Sequence, residues 1–300
     1  MLAALTDTRL APLVAFLFLA VVPATPATDA IGIVPAARAV QPGELVVLTF
    51  TTPAGADRVR VQAFGRDVPA VAVGDDTWRA LVGIDLNVAP GSYDVTIDAF
   101  AGGDPVHGLH TLDVGEARFE TRHLKVADAY VDPPAATRAR IVRDAAALAG
   151  VWKATAPAPL WSGPFVRPVE GDVVSSFGKR SVLNGRPRGA HGGADFRGAA
   201  GTPVAAPNAG RVVLARDLYY TGHTVVIDHG LGLFSLFAHL SAIDVTEGDE
   251  VSTAQTVARV GATGRVTGPH LHWAVRVGGA RVDPLSLLAV LGSVPDTARR

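Results

Sequence analysis

The chain has 300 residues, 48% of them apolar, with 27 basic side chains against 28 acidic ones and no cysteine. Balanced charge leaves no excess of phosphate-neutralising groups and argues against nucleic acid as the main partner. The absence of cysteine excludes disulfides, thiolate metal ligands and lipid attachment through cysteine, and the length leaves room for two domains.

Leu10 to Val22 is an apolar run preceded by Arg9 and followed by Pro23-Ala-Thr-Pro-Ala27-Thr-Asp-Ala30. It is too short to cross a bilayer, which takes about 20 residues, and its flanks are those of a secretory signal peptide. Residues 1–27 are therefore expected to be a signal peptide, with cleavage after Ala27 or Ala30. The mature chain would be periplasmic or secreted and would keep no membrane span.

Residues 31–115 carry short segments in which apolar and polar residues alternate: Glu44–Thr52, Arg58–Phe64, Thr77–Ile84, Ser92–Phe100 and Leu109–Val114. Period-two patterning marks half-buried strands, and Pro, Gly and Asp punctuate them as turns. Strands at this spacing predict an immunoglobulin-like β-sandwich. His107 and His110 lie three apart here without a convincing third ligand, and read as exposed loop and strand histidines.

Residues 116–164 read as a helical connector and linker. Ala135–Trp152 is rich in Ala and Arg, follows Pro133-Pro134 and places Ile141, Leu148 and Val151 at helical spacing. Its alanine content predicts a helix packed between domains. Ala156-Pro-Ala-Pro159 reads as an extended linker.

The remaining residues, 165–292, again read as short strands: Gly210–Ala215, Thr224–His229, Leu233–Leu240, Val257–Val260 and His270–Val277. In the last, His270, His272, Ala274 and Arg276 share one face, while Leu271, Trp273, Val275 and Val277 share the other. The same alternation puts Phe237 with His239, and Leu236 with Ala238 and Leu240. Six of the nine histidines lie between His191 and His272. Two histidines and an aspartate with one open position are how a catalytic zinc site can be built. His191 and Asp195 are four apart, about 13 Å on a straight strand, so they need a tight bend through Gly192 and Gly193 to share an ion. Arg180 and Asn184 are candidate cleft residues, and Asp228 and Asp283 candidate partners for imidazoles. His223 and His229 read as surface or structurally bonded.

Taken together, Ser176-Phe-Gly-Lys-Arg180, His191-Gly-Gly-Ala-Asp195-Phe, Gly201-Thr-Pro-Val204, Val225-Val-Ile-Asp-His-Gly230, Phe237-Ala-His239-Leu-Ser241 and Gly264-Arg-Val-Thr-Gly-Pro-His270-Leu-His272-Trp273 resemble the M23 metallopeptidase family of lysostaphin or LytM type. The resemblance covers roughly residues 165–290. It implies an antiparallel β peptidase domain, so that the whole chain is mainly β. It implies one Zn2+ held by His191, Asp195 and His272, with His239 and His270 as catalytic residues off the metal. No HExxH motif supplies a glutamate base, and imidazoles suit proton transfer near neutral pH. The implied reaction is endopeptidase cleavage of peptidoglycan peptides by a zinc-bound water, the two cleft histidines assisting. The sequence departs from the family at Phe237, where Tyr is common, at His223, where Asn is, and at Ala254 and Ala258, where glycines are.

A second reading is a catalytically silent module of the LytM type that binds and activates another cell-wall hydrolase; intact site positions count against it. A biotinyl or lipoyl carrier is excluded because the last lysine is Lys179.

Overall fold

The computed structural model describes residues 31–292 except 126, 127, 129 and 130. The expected signal peptide, 1–27, lies outside the described residues. Among those described, no helix is long and apolar enough to cross a membrane.

The first eight strands are β1 (Gly32–Ala37), β2 (Leu45–Thr51), β3 (Arg58–Ala63), β4 (Arg66–Val68), β5 (Ala70–Ala72), β6 (Thr77–Gly83), β7 (Gly91–Phe100) and β8 (Val106–Val114). They form two four-stranded sheets, β1-β2-β6-β5 and β4-β3-β7-β8. Lettered in chain order, these read A-B-E-D and C′-C-F-G, the strand orders found in immunoglobulin-type sandwiches. Val46, Leu48 and Phe50 of one sheet and Val61, Val95 and Ile97 of the other fill a single core.

Strand β2 departs from simple alternation, because Leu45, Val46, Val47 and Leu48 are all buried. Leu45 and Val47, with Leu81 of β6, turn outward and join a second core with Trp273, Val275 and Leu287. A sheet covered on both faces needs apolar residues on both. The sandwich is thus fastened to the C-terminal half by a shared core. Asp85 and Arg281 add a paired ion bridge, with Nη2 2.6 Å from Oδ1 and Nε 3.0 Å from Oδ2.

Next come β9 (Thr121–Leu124) and α1 (Ala135–Val151). The helix does not pack between domains. Leu148, Val151 and Trp152 cover Leu214, Val226, Phe234 and Leu236 on the C-terminal sheet, with the Trp152 ring edge-on to Phe234 at 5.3 Å. The proline-rich segment after it is docked and not a free linker: Ala156 N donates to Asp228 Oδ2 at 2.8 Å and Leu160 N to the His229 carbonyl at 2.8 Å.

The C-terminal half contains β10 (Val173–Ser175), β11 (Arg180–Leu183), β12 (Arg186–Ala190), β13 (Ala194–Phe196), β14 (Pro203–Ala205), β15 (Gly210–Leu218), β16 (Gly222–Gly230), β17 (Leu233–Leu240), β18 (Ala242–Ile243), β19 (Glu250–Val251), β20 (Thr256–Arg259), β21 (Leu271–Val277), β22 (Ala280–Val282) and α2 (Pro284–Leu291). The main sheet runs β10-β13-β21-β17-β16-β15-β19, antiparallel throughout, with β22 paired to β21. Two three-stranded sheets flank it, β14-β20-β18 and β12-β11-β9. In the latter, β9 runs parallel to β11, so the connector contributes a strand to the sheets of the C-terminal half.

Helix α2 has a capped start. Asp283 accepts from Leu285 N at 3.0 Å and Pro284 fills the first turn, a common helix opening. Its Ser286 hydroxyl accepts from Leu45 N at 2.9 Å, tying α2 to the sandwich.

Candidate metal centre

Strand β21 behaves as its alternation predicts. Leu271, Trp273, Val275 and Val277 are buried in the core, which turns His272 to the opposite face. Asp195 on β13 stands directly opposite His272 in register. His191 precedes β13 by a short bend, and Gly193 makes that bend possible. A Cβ on Gly193 would lie 2.3 Å from the Trp273 carbonyl oxygen and 2.9 Å from His272 Cε1. Gly192 has no such constraint, since its nearest neighbour would be Arg281 Cδ at 3.9 Å.

The result is a triangle of donor atoms. His191 Nε2 lies 2.9 Å from His272 Nδ1 and 3.0 Å from Asp195 Oδ1, and His272 Nδ1 lies 2.9 Å from Asp195 Oδ1. His191 Nδ1 is 3.0 Å from the Ser176 carbonyl, which only accepts, so the ring proton sits there and Nε2 keeps its lone pair. Burial alone would raise the Asp195 carboxyl. The hydrogen bonds and charges of His191 and His272 outweigh it and hold the group well below the usual carboxylate range. Burial pushes the His272 imidazole down, favouring its neutral, ligating form.

This donor set fits a metal ion. Ligands about 2.0–2.1 Å from a tetrahedral zinc stand about 3.3 Å apart, close to the sides of this triangle. Two nitrogens and an ionised carboxylate converge on one point, and a cation there would offset their mutual repulsion.

His239 and His270 flank the triangle. Their rings are 5.1 Å apart, and His239 lies 5.9 Å from the His272 ring. Simple alternation does not survive at His239. Pairing between β16 and β17 shifts between His223–Leu240 and Val225–Phe237, and His239 has φ +65°. This is a bulge with a residue in the left-handed region, a device that re-aims a side chain. Leu240 consequently packs with Phe237 in the main core, while Leu236 and Ala238 face the α1 side. His239 Nδ1 is 2.9 Å from the Thr263 carbonyl, and His270 Nδ1 is 2.8 Å from that of Gly268. Both rings therefore hold their proton on Nδ1 when neutral and leave Nε2 as acceptor. His270 Nε2 lies 3.7 Å from Asp195 Oδ1. Burial, with the charges of His272 and His270, pushes His239 down to about 3 against the pull of the Thr263 carbonyl.

All five residues line one cleft of about 720 Å³. Its walls include Arg122 and Lys125 from the connector and Tyr220, Thr221 and Arg265 opposite. Arg180 and Asn184 are not among the lining residues; Asn184 Nδ2 donates to Asp128 Oδ1 at 2.9 Å. Asp228 and Asp283 do not support the imidazoles either: the first anchors Thr155 and Ala156, the second caps α2 and pairs with Arg38. The groups that orient the rings are the Ser176, Thr263 and Gly268 carbonyls, which leave no trace in side-chain spacing. His229 is fully buried, bonded through Nδ1 to the Ala209 carbonyl at 2.8 Å and through Nε2 to Ser235 Oγ at 3.0 Å. His107 pairs with Asp98 at 2.8 Å on the sandwich surface.

Known proteins of one family resemble this chain. The family description Peptidase family M23 matches residues 189–284. A solved structure assigned to peptidase M23 from Pseudomonas aeruginosa is 30% identical, with a TM-score of 0.66, over 84% of this chain and 96% of that one. Peptidoglycan DD-endopeptidase ShyA of Vibrio cholerae is 42% identical over 35% of this chain and 25% of its own length. DD-carboxypeptidase/endopeptidase Mpg of Neisseria meningitidis serogroup B is 40% identical over 32% of this chain and 22% of its own. The chain thus spans about a quarter of the length of these curated relatives.

Proposed function

The chain belongs to peptidase family M23, and on that premise we propose that it is a zinc-dependent endopeptidase that hydrolyses peptide bonds in bacterial cell-wall peptidoglycan. The observation that carries the reading is the triangle of His191 Nε2, Asp195 Oδ1 and His272 Nδ1 beside two further imidazoles in one cleft. The name of ShyA, a peptidoglycan DD-endopeptidase, supports the substrate class, and that of Mpg the endopeptidase activity.

His191, Asp195 and His272 would hold one Zn2+. Zinc, when bound, supplies Lewis acidity that acidifies water and polarises a carbonyl oxygen. The ligand residues fix that position, because β13 and β21 are paired and both imidazole rings are packed against each other at 4.8 Å. His239 and His270 act as the catalytic residues. Each presents Nε2 as a lone pair, fit to accept a proton from the attacking water and return it to the departing amine. Having taken that proton, the same atom donates to the oxyanion that develops on the carbonyl; His239, which burial keeps neutral at rest, carries the charge only during turnover. The Thr263 and Gly268 carbonyls hold the tautomer that this exchange requires.

The apolar run within residues 1–27 supports export to the periplasm or beyond, where peptidoglycan lies. The domain division proposed is 31–115, 116–164 and 165–292, with β9 of the middle part built into the last.

Digestion of purified peptidoglycan by the full chain, with chelator and zinc add-back, tests the reading. Soluble fragments with new amino termini, lost with chelator and restored by zinc, are expected. A folded, zinc-loaded protein that binds peptidoglycan and releases nothing would instead be a silent module acting on another hydrolase.

A further inference from the structure

The connector places a guanidinium in the cleft in an unusual setting. Arg122, on β9, is half-buried. Its Nε donates to Ser181 Oγ at 3.1 Å and its Nη1 to Ser175 Oγ at 3.0 Å. Both partners are neutral hydroxyls, and among the described residues Arg122 makes no ion pair. The guanidinium is oriented without being neutralised, and its remaining N–H donors have no protein acceptor there. Buried guanidinium groups ordinarily pair with carboxylates.

The pairing of strands fixes where this charge sits. Ser175 is the register partner of Asp195, and Ser181 is the register partner of Arg122 itself. Arg122 is therefore bonded to the strand next to the one that carries the metal-group carboxylate, and neighbouring strands are about 4.8 Å apart. The rest of the cleft has the same sign. Among the described residues that line it, Lys125, Arg188 and Arg265 are cationic and Asp195 is the one carboxylate. A neutral, glycine-like peptide would give the remaining donors of Arg122 nothing to pair with, whereas a fork of unused N–H donors matches a carboxylate in two-point geometry.

We propose that Arg122 is a specificity-determining residue that binds a free carboxylate of the substrate peptide beside the scissile bond, so that the enzyme prefers anionic, carboxylate-bearing cross-links to neutral ones. This rests on the reading of the site as a peptidoglycan endopeptidase. It gives the connector a role in the chemistry, since deleting β9 would remove the anion site together with the strand.

The test uses the zinc-loaded full chain and cross-linked peptide dimers released from purified peptidoglycan. One half of the preparation is left with free carboxylates, and the other is amidated with carbodiimide and ammonia. Affinity and kcat/KM are both measured for each. The wild-type protein should favour the free dimers by about tenfold or more, the scale of a charge-assisted hydrogen-bonded pair. Arg122→Gln should reduce that ratio to below about threefold. Arg122→Lys, which keeps the charge but not the fork, should recover part of it. A merely structural Arg122 would change both substrates alike and leave the ratio intact. A wild-type protein with no preference, or a preference that survives in Arg122→Gln, overturns the proposal while leaving the endopeptidase reading standing. Tight, Arg122-dependent binding of free dimers without any cleavage would do the reverse. If neither dimer is bound or cleaved, both fall.

Discussion

His191 Nε2 lies 3.0 Å from Asp195 Oδ1, although four positions on a straight strand would hold the two residues about 13 Å apart. The bend that joins them runs against β21 and depends on the missing side chain of Gly193. Gly193→Ala would drive a Cβ into the Trp273 carbonyl and His272. We expect a loss of about 1–3 kcal/mol in stability, as for other overpacked sites, and zinc binding weakened at least about tenfold. Gly192→Ala, with open space around it, should change neither. Thermal unfolding and competition with a zinc chelator measure both effects, and equal behaviour of the two variants would refute the geometric account.

The bulge at His239 makes a second prediction. His239→Asn keeps a residue type that tolerates the left-handed backbone but removes the Nε2 acceptor. kcat should fall by about 10²–10⁴-fold, the usual contribution of a positioned acid–base group. Zinc content should stay at one per chain, because His239 is outside the donor triangle. Steady-state kinetics with metal analysis decides it; loss of zinc along with activity would make His239 a ligand.

Buried His229 should shape acid stability. Burial pushes its pKa down to about 4, below the 6.5 of an exposed imidazole. Between those values the unfolded chain binds a proton that the native one does not, so stability falls as pH drops from about 6.5. The full penalty, roughly 3 kcal/mol, is reached near pH 4. His229→Gln removes this titration. Denaturant unfolding at several pH values should show a shallower decline for the variant than for the wild type over that window. Parallel curves would contradict the assignment of a neutral, buried imidazole.

Ala254 sits at φ +63° in an exposed turn, at a position where the resembling family commonly has glycine. A Cβ in the left-handed region is unfavourable by about 1–2 kcal/mol, partly offset by the lower unfolded-state entropy of alanine. Ala254→Gly should therefore stabilise the protein by up to about 1 kcal/mol, with its backbone bond to the Ala206 carbonyl retained. An unchanged or lower Tm would count against strain at this turn.

Much of the site could be read from the chain because β21 alternates so strictly: Leu271, Trp273, Val275 and Val277 fix which way His272 must turn. The helix at 135–151 was equally plain from its composition and the prolines before it. What escaped was set by three-dimensional context. The bulge at His239 reverses the expected phase of Leu240, and no residue type announces it. Strand β2 is apolar on both faces because the sandwich is covered twice, which period-two reading of one segment does not reveal. Strand β9 is hard to recognise in the sequence because Thr121–Leu124 is short and mixed in character, yet its parallel pairing with β11 places Arg122 in the cleft. Helix α2 does carry a sequence signal, Asp283 followed by Pro284.

In the proposed function, one zinc ion and two acid–base histidines in this cleft cut peptidoglycan. The most direct measurement is the release of new amino termini from purified peptidoglycan by the full chain loaded with one zinc, beside His270→Ala loaded to the same stoichiometry. The wild type should release them steadily, and the variant should do so at least about 100-fold more slowly while keeping its zinc. A folded, zinc-loaded wild type that releases none, or a variant that works as fast, would contradict the account.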